Sequence, residues 1–342
     1  MTKQSHKAKT LPSGSGDDKK WKSNLLKSGL PLESVAARML HARKCQVLGE
    51  FTYMRQDENR IDKSFSIDLF AHYGFKWPYH RAKKSRIIFL IECKYIHPGS
   101  QWFFSPQVSY LGGHDVISVL DHLTASSLIR GHAPLTAFNR SLPWCFKGAE
   151  SPEGLGIEKG GKQLRYALPA LARQLMVNQF ESPGDIEPMF IVPILLTTAK
   201  LFVLKAGLSL KHYHAAKKES DVAKNTPALL WSQSPDEGLE SFALQKAGSL
   251  LLFNATVVSR LEELHALRKF GGTQTPRWYL EVLFRQITRS ILVVNFDNFD
   301  KVLGKIIHAV SQVQDSIKVH ARFKRQDDGT IVVLPTSCRK RA

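Results

Sequence analysis

Residues Arg86-Ile87-Ile88-Phe89-Leu90-Ile91-Glu92-Cys93-Lys94 carry five apolar side chains straight into a carboxylate and a lysine two positions apart. A continuous apolar run bounded by charges reads as a buried strand. Side chains two apart in a strand share a face, so Glu92 and Lys94 point together while Cys93 joins Ile91 and Phe89 on the other side. Bringing opposite charges into a mostly buried sheet is costly unless they pair or bind a metal. One reading is therefore a salt-bridged strand end, and the other is half of a metal site. Spacing alone does not choose, because Asp17-Asp18-Lys19 and Asp18-Lys19-Lys20 near the N-terminus repeat the pattern and read as inert.

Upstream, Leu32, Val35, Ala36, Met39 and Leu40 recur at helical spacing, with Pro31 suited to a first helical turn. This helix is expected to run to about Gln46. A short strand near Glu50–Arg55, a polar loop from Gln56 to Lys63 and a second strand over Phe65–Ala71 follow, and Arg86–Lys94 is the third. Asp68 lies inside that second apolar strand, where a charge needs a reason. Glu33 sits in the first turns of the helix, beside its apolar stripe. A helix packed on three strands brings Glu33, Asp68 and Glu92 towards one another at the strand ends. Hard oxygen ligands of this kind suit Mg²⁺, which takes one or two carboxylates and completes its shell with water and phosphate oxygens. Lys94 is a point charge able to orient an attacking water.

With these residues in place, the chain resembles the PD-(D/E)XK nuclease superfamily. The resemblance rests on Glu33 in Gly29-Leu30-Pro31-Leu32-Glu33, on Asp68 in Ser66-Ile67-Asp68 and on Glu92-Cys93-Lys94. The helical glutamate is most similar to the Mrr-type restriction endonucleases and Holliday-junction resolvases. The resemblance implies an α/β fold with a restriction endonuclease-like α-β-β-β-α-β core. It implies Mg²⁺-dependent hydrolysis of nucleic-acid phosphodiesters, with Mn²⁺ as a possible substitute and DNA as the expected substrate, in restriction, repair or defence. Asp68 and Glu92 would be the metal ligands, Lys94 would act on the water and Glu33 would support the metal. The alternative is a nuclease-fold protein without turnover that binds nucleic acid or serves as an assembly module.

The rest of the chain is read around that core. Residues 1–22 are Ser/Gly-containing and basic, and are expected as a disordered tail. The nuclease-like core is expected over 23–205, with an insertion at about 95–157 that holds a little helix around Val116–Leu128. A long amphipathic helix over about Glu158–Phe180 and strands at Met189–Thr198 and Leu201–Lys205 complete it. Pro193 marks the first of those strands as an edge or irregular one. The segment Lys217–Gly238 reads as a loop or linker. Residues 206–317 are expected as a mostly helical extension with one late strand, and 318–342 as a second basic tail.

Composition narrows the partners. The 342 residues are 43% hydrophobic and 23% charged, ordinary for a globular chain, and the net charge is +18. A large positive excess favours polyanions. No apolar run approaches the roughly 20 residues of a membrane helix. The four cysteines form no Cys-x-x-Cys pair, which fits free thiols in a reducing cytoplasm and argues against a zinc site. A homodimer is compatible with the reading.

Further candidates are secondary. Glu50 is a possible additional acid behind the site, and Gln163 a possible contact to it from the long helix. Lys159, Lys162 and Arg165 on that helix are possible phosphate contacts, with a solvated cationic face as the alternative. Trp102-Phe103-Phe104 offers base stacking or, more simply, a core cluster. Lys211-His212-Tyr213-His214 reads as surface. Gly271-Gly272 reads as a turn, since no Gly-Lys-Ser/Thr follows.

Overall fold

The computed structural model describes residues 17–57, 59, 61–76, 84–97, 99–107, 118–119, 133–181, 189–253, 276–316, 321–325 and 331–335. Two helices, α1 (Asp17–Lys27) and α2 (Leu30–Ala42), lead into three strands, β1 (Gln46–Gln56), β2 (Asp62–Lys76) and β3 (Lys84–Lys94). Next come β4 (Gln101–Pro106), the two-residue β5 (Ser118–Val119), α3 (Ala133–Arg140) and β6 (Trp144–Ser151). The long helix α4 (Gly156–Glu181) precedes β7 (Met189–Thr197) and β8 (Lys200–Leu204). Short helices α5 (Leu210–Ala215) and α6 (Glu219–Val222) are followed by β9 (Ala223–Thr226) and β10 (Ala228–Ser232). The chain continues through α7 (Glu237–Phe253), α8 (Pro276–Ile287), β11 (Ser290–Asn295) and α9 (Phe299–Ser316), and a separate ladder pairs β12 (Ala321–Arg325) with β13 (Ile331–Pro335).

Eleven strands form one mixed sheet in the order β1-β2-β3-β7-β11-β10-β6-β4-β8-β9, with β5 paired to β7. β1, β2 and β3 make an antiparallel meander, and β7 lies parallel to β3. Both faces are covered, so the central strands are apolar on both sides, as the run Ile87–Ile91 foretells. Ile88 and Leu90 join Leu164, Leu168 and Leu171 of α4, together with side chains of α7 and α8, in one core. Ile87, Phe89 and Ile91 join Leu32, Ala36 and Leu40 of α2 and Phe299, Leu303 and Ile306 of α9 in the other.

Several expectations are revised. α2 stops at Ala42, where Lys44 takes a positive φ of 65°, and β1 begins at Gln46, so β1 and β2 are longer than their apolar cores suggest. The region 95–157, expected as an insertion, supplies β4 and β6 to the main sheet. Trp102 and Phe104 are fully buried there, and Phe103 stacks on Phe202 at 5.2 Å, the core alternative for that cluster. The helix expected at Val116–Leu128 falls outside the described residues except for 118–119, which are strand. The loop expected at Lys217–Gly238 contains β9 and β10, and β9, β10 and β11 attach residues of the expected extension to the same sheet. The expected tails are partly ordered, through α1 and the β12–β13 ladder.

Pro193 is not at an edge. It lies in β7 opposite Leu90, between Phe190 and Ile191, which pair with β5, and Ile194 to Thr197, which pair with β11. The missing N–H thus falls where β7 changes partner, and the ladder loses little.

Candidate functional site

β3 presents Glu92 and Lys94 on the α4 side and Cys93 on the α2 side, as the alternation requires. Glu92 is 1% exposed and Lys94 is 23% exposed. The Lys94 ammonium donates to Glu92 Oε1 at 2.5 Å and to Gln163 Oε1 of α4 at 3.2 Å. Gln163 is held in turn where its backbone carbonyl accepts from the Tyr53 hydroxyl at 3.1 Å. The helix reaches this close because it has no side chain at position 160. A Cβ on Gly160 would lie 2.5 Å from Leu195 Cδ1 and 3.1 Å from Lys94 Cε. Glu92 Oε2 is buried and has no hydrogen-bond partner among the described residues.

Asp68 arrives from β2. The register pairs Leu69 with Ile91, so Asp68 stands beside Glu92 just past the paired stretch, and its Oδ2 accepts from the Cys93 N–H at 2.6 Å. Its placement depends on an irregularity in the β1–β2 ladder. Gly49 pairs with Phe70 and Phe51 with Ile67, leaving Glu50 alone opposite Asp68 and Leu69. The extra residue reverses the alternation: Ile67 packs into the α4-side core and Leu69, two residues on, into the α2-side core. Asp68 is the residue at which the strand changes face. Gly49, with φ +94°, supplies the matching left-handed backbone on β1.

Glu33 approaches from the first turn of α2. The left-handed Gly29 (φ +81°) leads into this helix, and a Cβ there would meet Glu33 Oε1 at 3.1 Å. The acids feel one another. Burial pushes the Glu33 carboxyl above its ordinary value, and the charges of Asp68 and Glu50 add to this against the opposing pull of Lys94. Asp68 is raised chiefly by burial, which outweighs the Cys93 N–H and Lys94, with Glu50 adding to the rise. Glu92 is pushed to about 7, first by burial and then by Asp68, with Lys94 holding it down. Four carboxylates thus share a neighbourhood with one ammonium, an arrangement suited to a cation or to protons.

Among the described residues, no group of three or more His, Cys, Asp or Glu side chains stands ready to hold a metal ion. The donor set on offer is the pair Asp68 and Glu92, with the unpartnered Glu92 Oε2 its clearest opening. The structure therefore places Glu33, Glu50, Asp68, Glu92, Lys94 and Gln163 in one region.

The cations of α4 divide. Lys159 and Lys162 are exposed, but Arg165, read as a possible phosphate contact or part of a solvated face, is 6% exposed. Its guanidinium lies 4.5 Å over the Trp231 ring and its Nη1 donates to Gln233 Oε1. These residues line a cleft of about 900 Å³ on the other flank of α4, with Lys147, Glu150, Lys162, Tyr166 and Asp236 also on its walls. Sequence reading missed Trp231 and Gln233, and their only signal was the short apolar run Ala228–Trp231. Lys211 to His214 lie on the exposed helix α5 or just within its last turn, where His212 Nδ1 meets Ser209 Oγ at 2.8 Å, and Gly271-Gly272 lies outside the described residues. No helix among the described residues is long and apolar enough to cross a membrane. No protein-family model, no curated protein and no solved structure matches the chain.

Proposed function

We propose that the protein is a metal-dependent phosphodiester hydrolase of nucleic acid, acting at the end of β3. The observation that carries this reading is the buried, unpartnered Glu92 Oε2 beside Asp68, with Lys94 held nearby by hydrogen bonds to Glu92 Oε1 and Gln163 Oε1. The order α2-β1-β2-β3-α4-β7, with an antiparallel meander and β7 parallel to β3, supports a restriction endonuclease-like core within the larger sheet.

The residues fit a hard divalent cation, Mg²⁺ or Mn²⁺, held by Asp68 and Glu92, with Glu33 and Glu50 adding negative potential behind them. Such an ion lowers the pKa of a bound water and offsets charge building on phosphorus. Lys94 has three N–H donors and spends two on Glu92 and Gln163, leaving one for a water or a phosphate oxygen. Gln163 keeps the ammonium from folding wholly onto Glu92. The net charge of +18 supports a polyanionic substrate.

A second reading is a nuclease-fold module that binds nucleic acid without cleaving it. It is favoured by the absence of a three-acid metal group among the described residues and by the occupation of Glu92 Oε1 by Lys94. Incubation with plasmid, linear and single-stranded DNA, with Mg²⁺ and then with EDTA, separates the two. Cleavage that needs Mg²⁺ and disappears in Glu92→Ala and Lys94→Ala supports the hydrolase, whereas cleavage unchanged in both variants overturns it. Metal-independent, salt-sensitive binding without cleavage establishes the second reading.

A further inference from the structure

The cleft on the far flank of α4 plays no part in the acidic site, yet it holds an unusual number of unsatisfied donors. Arg165 Nε, Arg165 Nη2 and Trp231 Nε1 are all buried and have no hydrogen-bond partner among the described residues. Each such group costs about 1–3 kcal/mol when left unpaired, so three together favour a ligand that brings acceptors. Asp236 offsets part of the Arg165 charge, but no carboxylate hydrogen-bonds to these donors. Glu150 Oε1 accepts from the Ile157 N–H at 2.6 Å, and Asp236 Oδ1 accepts from the Leu239 N–H at 2.7 Å, which caps the starts of α4 and α7. Lys147 and Lys162 stand exposed on the lining, as do the acids Glu158 and Asp236. Phe146, 44% exposed, offers an aromatic surface at the mouth. One buried acceptor without a partner, Gln107 Oε1, completes the lining.

We propose that this cleft binds one nucleotide unit. The phosphate lies against Arg165 and Lys162, the base lies on Phe146, and Gln107 accepts from an exocyclic amine such as that of adenine. The cleft, at about 900 Å³, is within the size of small-ligand sites. A guanidinium suits phosphate through its paired donors, and a base stacked on an aromatic ring gains about 1–3 kcal/mol. The same chemistry is offered by a nucleotide within a bound strand and by a free nucleotide. The inference stands on the donors of the cleft and does not require cleavage at Glu92.

The test uses the full chain in EDTA. Binding of fluorescein-labelled d(A)20 is followed by anisotropy, and binding of AMP by calorimetry. Wild-type protein is expected to bind at least one probe. Arg165→Met and Lys162→Glu should each weaken that binding at least about tenfold, which is about 1.4 kcal/mol. Binding of d(A)20 alone assigns the cleft to a strand, and AMP binding that displaces d(A)20 assigns it to a nucleotide from either source. Failure of both probes to bind below about 1 mM overturns the proposal, as does wild-type affinity in both cleft variants. A thermal melt checks the fold of Arg165→Met, and if that protein unfolds, the exposed Lys162→Glu decides. Lack of cleavage by every protein would remove the hydrolase reading and leave this one standing.

Discussion

The two flanks of α4 hold opposite kinds of unfinished chemistry. On one, Glu92 is paired with Lys94 beside Asp68, within reach of the charges of Glu33 and Glu50, and the orphaned atom is an acceptor, Glu92 Oε2. On the other, the orphaned atoms are mostly donors, on Arg165 and Trp231. The first flank is short of positive charge and the second is short of acceptors, though both rest on the same stretch of helix. A chain of net charge +18 thus places a group of acids and a buried arginine on opposite flanks of one helix. Function is better read from where charge is left uncompensated than from net charge, which points one way for both.

The contrast can be broken most decisively at Glu92. In a plasmid-nicking assay with Mg²⁺, Glu92→Ala is expected to lose about 10³-fold or more in rate, and Lys94→Ala about 10²–10³-fold, since on the proposed reading Glu92 holds the cation and Lys94 acts on the water or phosphate. Equal rates in wild type and both variants would show that the acidic flank is not catalytic.

Gly160 tests whether α4 must lie against the strand end. Gly160→Leu would drive a side chain into Leu195 and the Lys94 stem. It should cost about 1–3 kcal/mol in denaturant unfolding, the usual range for overpacking, and should lower cleavage further by displacing Gln163. A variant as stable and active as wild type would mean that the helix does not hold Lys94 in place.

The acidic flank should also make stability depend on pH. The Glu92 carboxyl rises from an ordinary 4.5 to about 7 in the fold, so the folded state prefers the protonated form. Its contribution is full below 4.5 and is lost as pH rises through about 7. Glu33 and Asp68 are shifted in the same direction. Metal-free wild type is therefore expected to lose melting temperature between pH 5 and 8 by more than Glu92→Gln does. Parallel curves for the two proteins would contradict the burial argument.

The smallest effect is expected at Glu50. It is exposed and acts on Glu33 and Asp68 only through its charge. Glu50→Gln should change the cleavage rate by a few-fold at most and reduce its salt dependence, since exposed charges are screened. A loss as large as that of Glu92→Ala would make Glu50 a ligand.

Parts of this were legible in the sequence. The face shared by Glu92 and Lys94 follows from strand alternation alone, and the apolar stripe Leu32, Ala36, Leu40 positions Glu33. Asp68 stands out as a charge in an apolar strand, but the bulge that turns it does not, because a bulge is a property of two paired strands and neither carries it alone. β10 reads as loop because only Ala228–Trp231 is apolar, and its polar neighbours mask a strand that parallel and antiparallel partners bury on both sides. Helical periodicity puts Arg165 with Lys159 and Lys162 on the polar side, as phosphate contacts or a solvated face, whereas its guanidinium lies over Trp231. The size of the sheet was hidden for a similar reason, as the strands that complete it come from segments with few local signals.

Gly161 follows Gly160 in α4, and a Cβ there would lie 2.3 Å from the Trp231 ring, as one on Gly160 would press on Leu195 and Lys94. Two consecutive residues without side chains let one helical turn seat on both flanks at once. That turn is a shared fulcrum: a ligand that shifts the helix over Trp231 must also shift it over Lys94. Substitutions on the two sides should therefore combine non-additively, and occupancy of one flank should be felt as a change in rate or affinity at the other.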